Sequence, residues 1–143
     1  MTFKNDLNYG MSFENKAISY YTNNGYELIK RSNGYFKFYD FIIKDKDDNI
    51  LKIEVKADRY GSNLMCVEFE YKNKPSGINT TKADYYCYYS VKDLNERLFV
   101  IPVCVIKELI NNKQYERIIK PRNNTSQCYL IPLEYVEKYK VNV

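Results

Sequence analysis

Phe36-Lys37-Phe38-Tyr39-Asp40-Phe41-Ile42-Ile43 is followed, after the polar stretch Lys44 to Asn49, by Ile50-Leu51-Lys52-Ile53-Glu54-Val55-Lys56. Both arms are rich in aromatic and β-branched residues, and the polar run between them is a turn signal, so the segment predicts a β-hairpin. Side chains alternate faces along a strand. Glu54 and Lys56 therefore share one face, while Ile53 and Val55 enter the core from the other. The face of Asp40 depends on register. An odd-length loop or a bulge brings it opposite Glu54 or Lys56 and onto their face, whereas a two-residue turn centred on Asp47 and Asp48 puts it on the wrong one.

Two carboxylates and a lysine on one face have a definite chemistry. Paired carboxylates supply the hard oxygen ligands that Mg²⁺ prefers, and the ion keeps waters, one of which can attack a phosphodiester. A neighbouring ammonium orients that water or stabilises charge on the phosphorus oxygens. Glu-x-Lys alone is common and carries almost no information; the hairpin context, the apolar flanks and the upstream Asp40 give it weight.

Composition narrows the alternatives. A chain of 143 residues suits one domain with a sizeable core and is short for two. With 45% hydrophobic and 28% charged residues it reads as globular. No apolar run approaches a membrane span, and Met1-Thr2-Phe3-Lys4-Asn5-Asp6 lacks the apolar core of a signal peptide, so a cytoplasmic protein is expected. Histidine is absent, which excludes His-based zinc sites, Ser-His-Asp triads and Cys-His dyads. Cys66, Cys87, Cys104 and Cys128 are far apart in apolar or aromatic surroundings and read as buried core thiols. The net charge of +4 fits a polyanionic partner without demanding one.

At this point the chain resembles the PD-(D/E)XK nuclease superfamily, and in particular small phage or mobile-element nucleases of the Holliday junction resolvase type. Asp40 matches the first acidic position and Glu54-Val55-Lys56 the (D/E)XK element, with Tyr39 where the family name implies proline. Glu14, in Met11-Ser12-Phe13-Glu14-Asn15-Lys16-Ala17-Ile18, matches the acid of the preceding helix. Val67-Glu68-Phe69-Glu70-Tyr71, Lys74-Pro75-Ser76-Gly77-Ile78 and Thr80-Thr81-Lys82-Ala83-Asp84-Tyr85 are similar to the strand, Ser-Gly loop and helix start of such members. The resemblance covers roughly residues 8 to 105. It implies a restriction-endonuclease-like α/β fold in a bacterial or phage-infected host cell. It also implies a metal site of Asp40, Glu54 and the Val55 carbonyl for Mg²⁺, with Mn²⁺ as substitute, assisted by Glu14 and Lys56.

Further along, Ser12 is expected to cap a helix to about Thr22, with Phe13, Ala17, Ile18 and Tyr21 on one face and Asn23-Asn24-Gly25 ending it. A short strand from Tyr26 to Ile29 precedes the Ser32-Asn33-Gly34 turn. Leu64 to Tyr71 alternates, placing Cys66, Glu68 and Glu70 on one face. Glu68 there either supports a second metal, holds Lys56, or faces solvent. Thr80 or Thr81 is expected to cap a helix through Ser90; either its free amides, with Lys74, Ser76, Thr81 and Lys82, grip a phosphate backbone, or it is a capped helix and nothing else. A strand from Arg97 to Val103, a helix from Val105 to Asn112, a loop from Gln114 to Ser126, a strand from Gln127 to Ile131 and a helix from Pro132 to Lys140 complete the chain. Lys72, Lys74 and Lys82 flank the Ser-Gly loop as one basic stretch, and Lys113, Arg117, Lys120 and Arg122 form a second, a phosphate track or a solvated helix end. The 16 tyrosines read as packing or as stacking platforms for bases.

The expectation is one α/β domain over residues 1–143, a mixed central sheet flanked by helices. Its expected activity is metal-dependent hydrolysis of DNA, as a homodimer if it acts on junctions. A catalytically inactive nucleic-acid-binding or regulatory protein on the same scaffold is the alternative.

Overall fold

The computed structural model describes residues 3–33, 38–120 and 125–142. Its elements run in the order α1 (Phe3–Asn23), β1 (Glu27–Arg31), β2 (Phe41–Lys44), β3 (Ile50–Asp58), β4 (Leu64–Tyr71), β5 (Lys74–Pro75), a 3-10 turn (Gly77–Asn79), β6 (Tyr85–Lys92), β7 (Asn95–Pro102), α2 (Val103–Asn111), β8 (Arg117–Ile119), β9 (Ser126–Pro132), a 3-10 helix (Leu133–Tyr139) and β10 (Lys140–Val141). A six-stranded mixed sheet has the order β1-β2-β3-β6-β7-β10, and a four-stranded sheet the order β5-β4-β9-β8. The β3–β6 pair is parallel, Glu54 lying beside Tyr86 and Lys56 beside Tyr88, and the other pairs are antiparallel.

Two cores sandwich the larger sheet. On one face, Phe13, Ala17 and Tyr21 recur every four residues along α1 and pack on Phe41, Ile43, Ile53, Cys87, Tyr89 and Leu98. On the other, Tyr86, Tyr88, Phe99 and Ile101 meet Met65, Val67 and Ile131 of the smaller sheet, together with Val103 and Ile106 of α2. Each fully buried large side chain contributes roughly 1.5–3 kcal/mol. Only one face of the sheet is thus covered by a long helix, and the other is covered mainly by a second sheet.

The largest correction falls on residues 80–90, which form no helix. Tyr85–Lys92 is the central strand β6, and Tyr86 to Ser90 are buried without a break. A strand covered on both faces shows no alternation, and its aromatic composition favours a pleated, crowded environment over a helix. Ser12 does not begin α1 but lies within it, because extending a packed helix adds one hydrogen bond per residue and no proline precedes it. Pro132 ends β9 instead of opening an α-helix, and residues 133–139 wind as 3-10 before a short edge strand. The segment expected as a loop from Gln114 to Ser126 contains β8. Cys87 and Cys128 are buried and Cys66 half-buried, but Cys104 is exposed on α2. Of the hairpin's first arm, Phe36 and Lys37 lie outside the described residues, as do Gly34 and Arg122.

Candidate active site

Register places Asp40 on the Glu54 face. Phe41 pairs with Ile53 and Lys44 with Ile50, so the hairpin loop is the five residues Asp45 to Asn49, an odd length. Asp45 Oδ1 accepts the Asp47 and Asn49 amides at 2.9 Å each, while Asp48 adopts φ +63°. These are local solutions open to short polar side chains. One residue beyond the last paired position, the Asp40 amide donates to the Ile53 carbonyl at 2.8 Å, and Asp40 Oδ2 accepts the Val55 amide at 2.7 Å. The carboxylate takes the place of a backbone acceptor just before β2 begins. The Val55 amide is thereby turned toward the Asp40 edge.

Glu54 is 8% exposed. Its Oε1 lies 3.7 Å from the Lys56 ammonium, and its buried Oε2 has no hydrogen-bond partner among the described residues. Burial pushes the Glu54 carboxyl up, against the pull of Lys56 and of the Thr81 and Tyr86 hydroxyls, and the Asp40 charge adds to the rise. Neither hydroxyl satisfies Oε2: that of Thr81 gives its proton to the Phe38 carbonyl at 3.1 Å, and that of Tyr86 lies near the carboxylate without bonding this oxygen. Asp40 is raised too, by burial first, against the Val55 amide, Lys56 and Arg31. Two carboxyls raised by burial on one face hold their negative charge unfavourably unless a cation joins them.

Asp40, Glu54, Lys56, Glu68, Lys74 and Ser76 line one cavity of about 520 Å³, together with Tyr71, Lys72 and Thr80. Glu68 comes from β4 of the other sheet and is held there by the Ser76 hydroxyl, which donates to its Oε2 at 3.0 Å. Gly77 follows at φ +54°, and a Cβ there would stand 2.1 Å from the Glu68 carbonyl oxygen. That close approach presses the Ser76–Gly77 corner onto β4 and fixes the far wall of the cavity.

Other expected residues lie elsewhere. Glu14 is bound to Arg31 at 2.7 Å; burial raises its carboxyl, the Arg31 hydrogen bond opposes this, and the Asp40 charge adds to it. It adjoins Asp40 without lining the cavity. Thr81 sits beneath Glu54, and the Lys82 ammonium lies 4.7 Å from the Phe38 ring centre. The helix-start phosphate grip is overturned: the amides of Thr81, Lys82 and Asp84 are taken by the carbonyls of Gly77, Phe38 and Lys52. Tyr86, Arg31 and Lys72 complete the surroundings. Tyr86 was hidden by its misassignment to a helix, and Arg31 by a partnership that no sequence spacing signals.

Among the described residues no three Cys, Asp or Glu side chains form a ready-made metal cluster. A pair of carboxylates with one orphaned oxygen nevertheless suits Mg²⁺, which is commonly held by one or two carboxylates together with waters and substrate phosphates. Comparison with protein-family models, curated proteins and solved structures finds no match. No helix among the described residues is long and apolar enough to cross a membrane.

Proposed function

We propose that the chain is a metal-dependent endodeoxyribonuclease with a restriction-endonuclease-like architecture. The observation that carries this reading is the buried, unpartnered Glu54 Oε2 on the same face as Asp40 and Lys56, in a cavity rimmed by Lys72 and Lys74. Asp40, Glu54 and the Val55 carbonyl would hold Mg²⁺ or Mn²⁺, which supplies an activated water and neutralises developing charge on a phosphodiester. Asp40 is oriented for this by the Val55 amide. The Lys56 ammonium stands where it can stabilise phosphorane oxygens or orient the water. Glu68, tied to Ser76, braces the wall that carries Lys74. Lys72 and Lys74 attract and register the phosphate backbone.

Purified protein incubated with supercoiled plasmid, linear duplex, single strand, branched DNA and RNA, with and without Mg²⁺ or Mn²⁺, tests the reading. Metal-dependent nicking or cutting of DNA is expected, and binding without cleavage of any substrate overturns it. The engagement of Glu14 with Arg31 favours a second reading, a nucleic-acid-binding protein on this scaffold without catalysis. Preference for branched DNA would add a homodimer with two symmetric sites.

A further inference from the structure

A second cavity, of about 560 Å³, adjoins the first and shares Lys56, Glu68 and Gly77 with it. Its lining adds three tyrosines to the charged Lys56, Asp58, Arg59 and Glu68: Tyr86 and Tyr88 belong to β6, and Tyr60 stands at the loop side. Tyr60 is 74% exposed, so most of its ring is open to solvent beside this cavity. Its loop is nonetheless pinned. Asp58 Oδ1 accepts the Tyr60 amide at 2.8 Å, while Asp58 Oδ2 accepts the Tyr88 hydroxyl at 2.8 Å. Gly61 follows at φ +64°, so close to β6 that a Cβ would stand 2.6 Å from Lys92 Cβ. An exposed aromatic held by its backbone beside a cavity is a preorganised stacking face. Lys56 lines both cavities, so a phosphate drawn to its ammonium has its own nucleoside next to the tyrosines of the second. Both volumes lie in the range of small-ligand sites, which a flat duplex surface does not enter.

We propose that this second cavity receives one unpaired nucleobase of the strand whose phosphate lies at the acidic site, with Tyr60 stacking on the base. The proposal rests on the reading of Asp40, Glu54 and Lys56 as the place of a nucleic-acid phosphate, and it makes the substrate a strand with a base out of the helix.

The test uses the intact chain in EDTA, so that binding is read without chemistry. Three fluorescein-labelled duplexes are compared by anisotropy: fully paired, with one extra adenine, and with the same extra nucleotide lacking its base. The adenine bulge is expected to bind about tenfold more tightly than the baseless bulge, the weight of one base stacked on an aromatic ring. Tyr60→Ala should erase that difference and Tyr60→Phe should keep it; the side chain is exposed, so both variants fold. Equal affinity for the two bulges, or a difference that survives Tyr60→Ala, overturns the proposal. Plasmid cleavage in Mg²⁺ is scored separately. Cleavage without discrimination between the bulges removes the base pocket and leaves the nuclease. Discrimination without cleavage removes the nuclease and leaves a binding pocket for an unpaired base.

Discussion

The Asp40 carboxylate accepts the Val55 amide at 2.7 Å across the open end of the first hairpin. One hydrogen bond thereby fixes both the rotamer of an acidic side chain and the direction of the peptide that follows Glu54. A site built this way depends on strand register more than on side-chain packing, and it is held on rigid elements.

Neutralising Glu54 should stabilise the protein while removing its response to divalent ions. Leaving a buried carboxylate oxygen unpaired costs about 1–3 kcal/mol. Glu54→Gln should therefore raise metal-free stability by about 1 kcal/mol in urea denaturation, and Mg²⁺ or Mn²⁺ should no longer raise the melting temperature. A variant less stable than the wild type, or still stabilised by Mn²⁺, counts against Glu54 as a ligand.

The two raised carboxyls set a pH dependence. A carboxyl whose folded pKa lies above its unfolded value contributes stability that is present at low pH and lost as pH rises through the folded pKa. For Asp40 and Glu54 both shifts are upward, with burial as the main cause. Without metal, their contribution should decline as pH climbs from the ordinary carboxylate range through the raised values. Metal binding should release protons and tighten over the same window, which calorimetry in buffers of different ionisation enthalpy measures directly. Metal affinity independent of pH across that range would disprove the coupling.

Lys56→Ala should separate binding from chemistry. A single lysine adds little to a many-phosphate footprint, but loss of an electrostatic stabiliser at the reacting phosphate typically costs about 10²–10³ in rate. Affinity for DNA in Ca²⁺ should stay nearly unchanged while cleavage in Mg²⁺ falls by about that factor. An equal fall in both would make Lys56 a simple phosphate contact.

Backbone grip should reside in Lys72 and Lys74, which line the cavity, and not in Lys82, which lies over Phe38. Replacing Lys72 and Lys74 together by alanine should reduce the magnitude of the salt slope by roughly one to two units, about equally for all sequences. Lys82→Ala should leave the slope unchanged. The reverse pattern would move the substrate track to the Phe38 side.

Gly77→Ala tests the wall between the cavities. Positive φ and a Cβ 2.1 Å from the Glu68 carbonyl oxygen leave no room for a methyl group. A cost of about 1–3 kcal/mol is expected from urea denaturation, with weaker DNA binding as the Ser76–Glu68 contact shifts. Wild-type stability in that variant would show that the corner yields freely.

How far the sequence discloses this architecture depends on how many faces of each element meet solvent. The hairpin was legible because Glu54 and Lys56 alternate with Ile53 and Val55, and β4 because Met65 and Val67 alternate with Cys66 and Glu68. Tyr85 to Val91 carries no such contrast, since Cys87 and Tyr89 face α1 while Tyr86 and Tyr88 face the smaller sheet. Without a period, the Thr80-Thr81 pair invited a capped helix. The same error concealed Tyr86 beside Glu54 and supplied a phosphate grip that the strand does not possess. The face of Asp40 was not legible, because it follows from the length of a loop.

The chain between β3 and the parallel strand β6 does not run outside the sheet as a plain connection: residues 59–84 form β4, β5 and the Ser76–Gly77 corner, and these are the wall facing Glu54 and Lys56. The ceiling of the site is thus spliced between its floorboards. Lengthening or shortening this segment must change the clearance above the carboxylates, whereas added residues at the β6–β7 tip, where Leu94 is 99% exposed, leave it untouched. The height of the cavity above Glu54 and Lys56 is therefore written in the length of one connection.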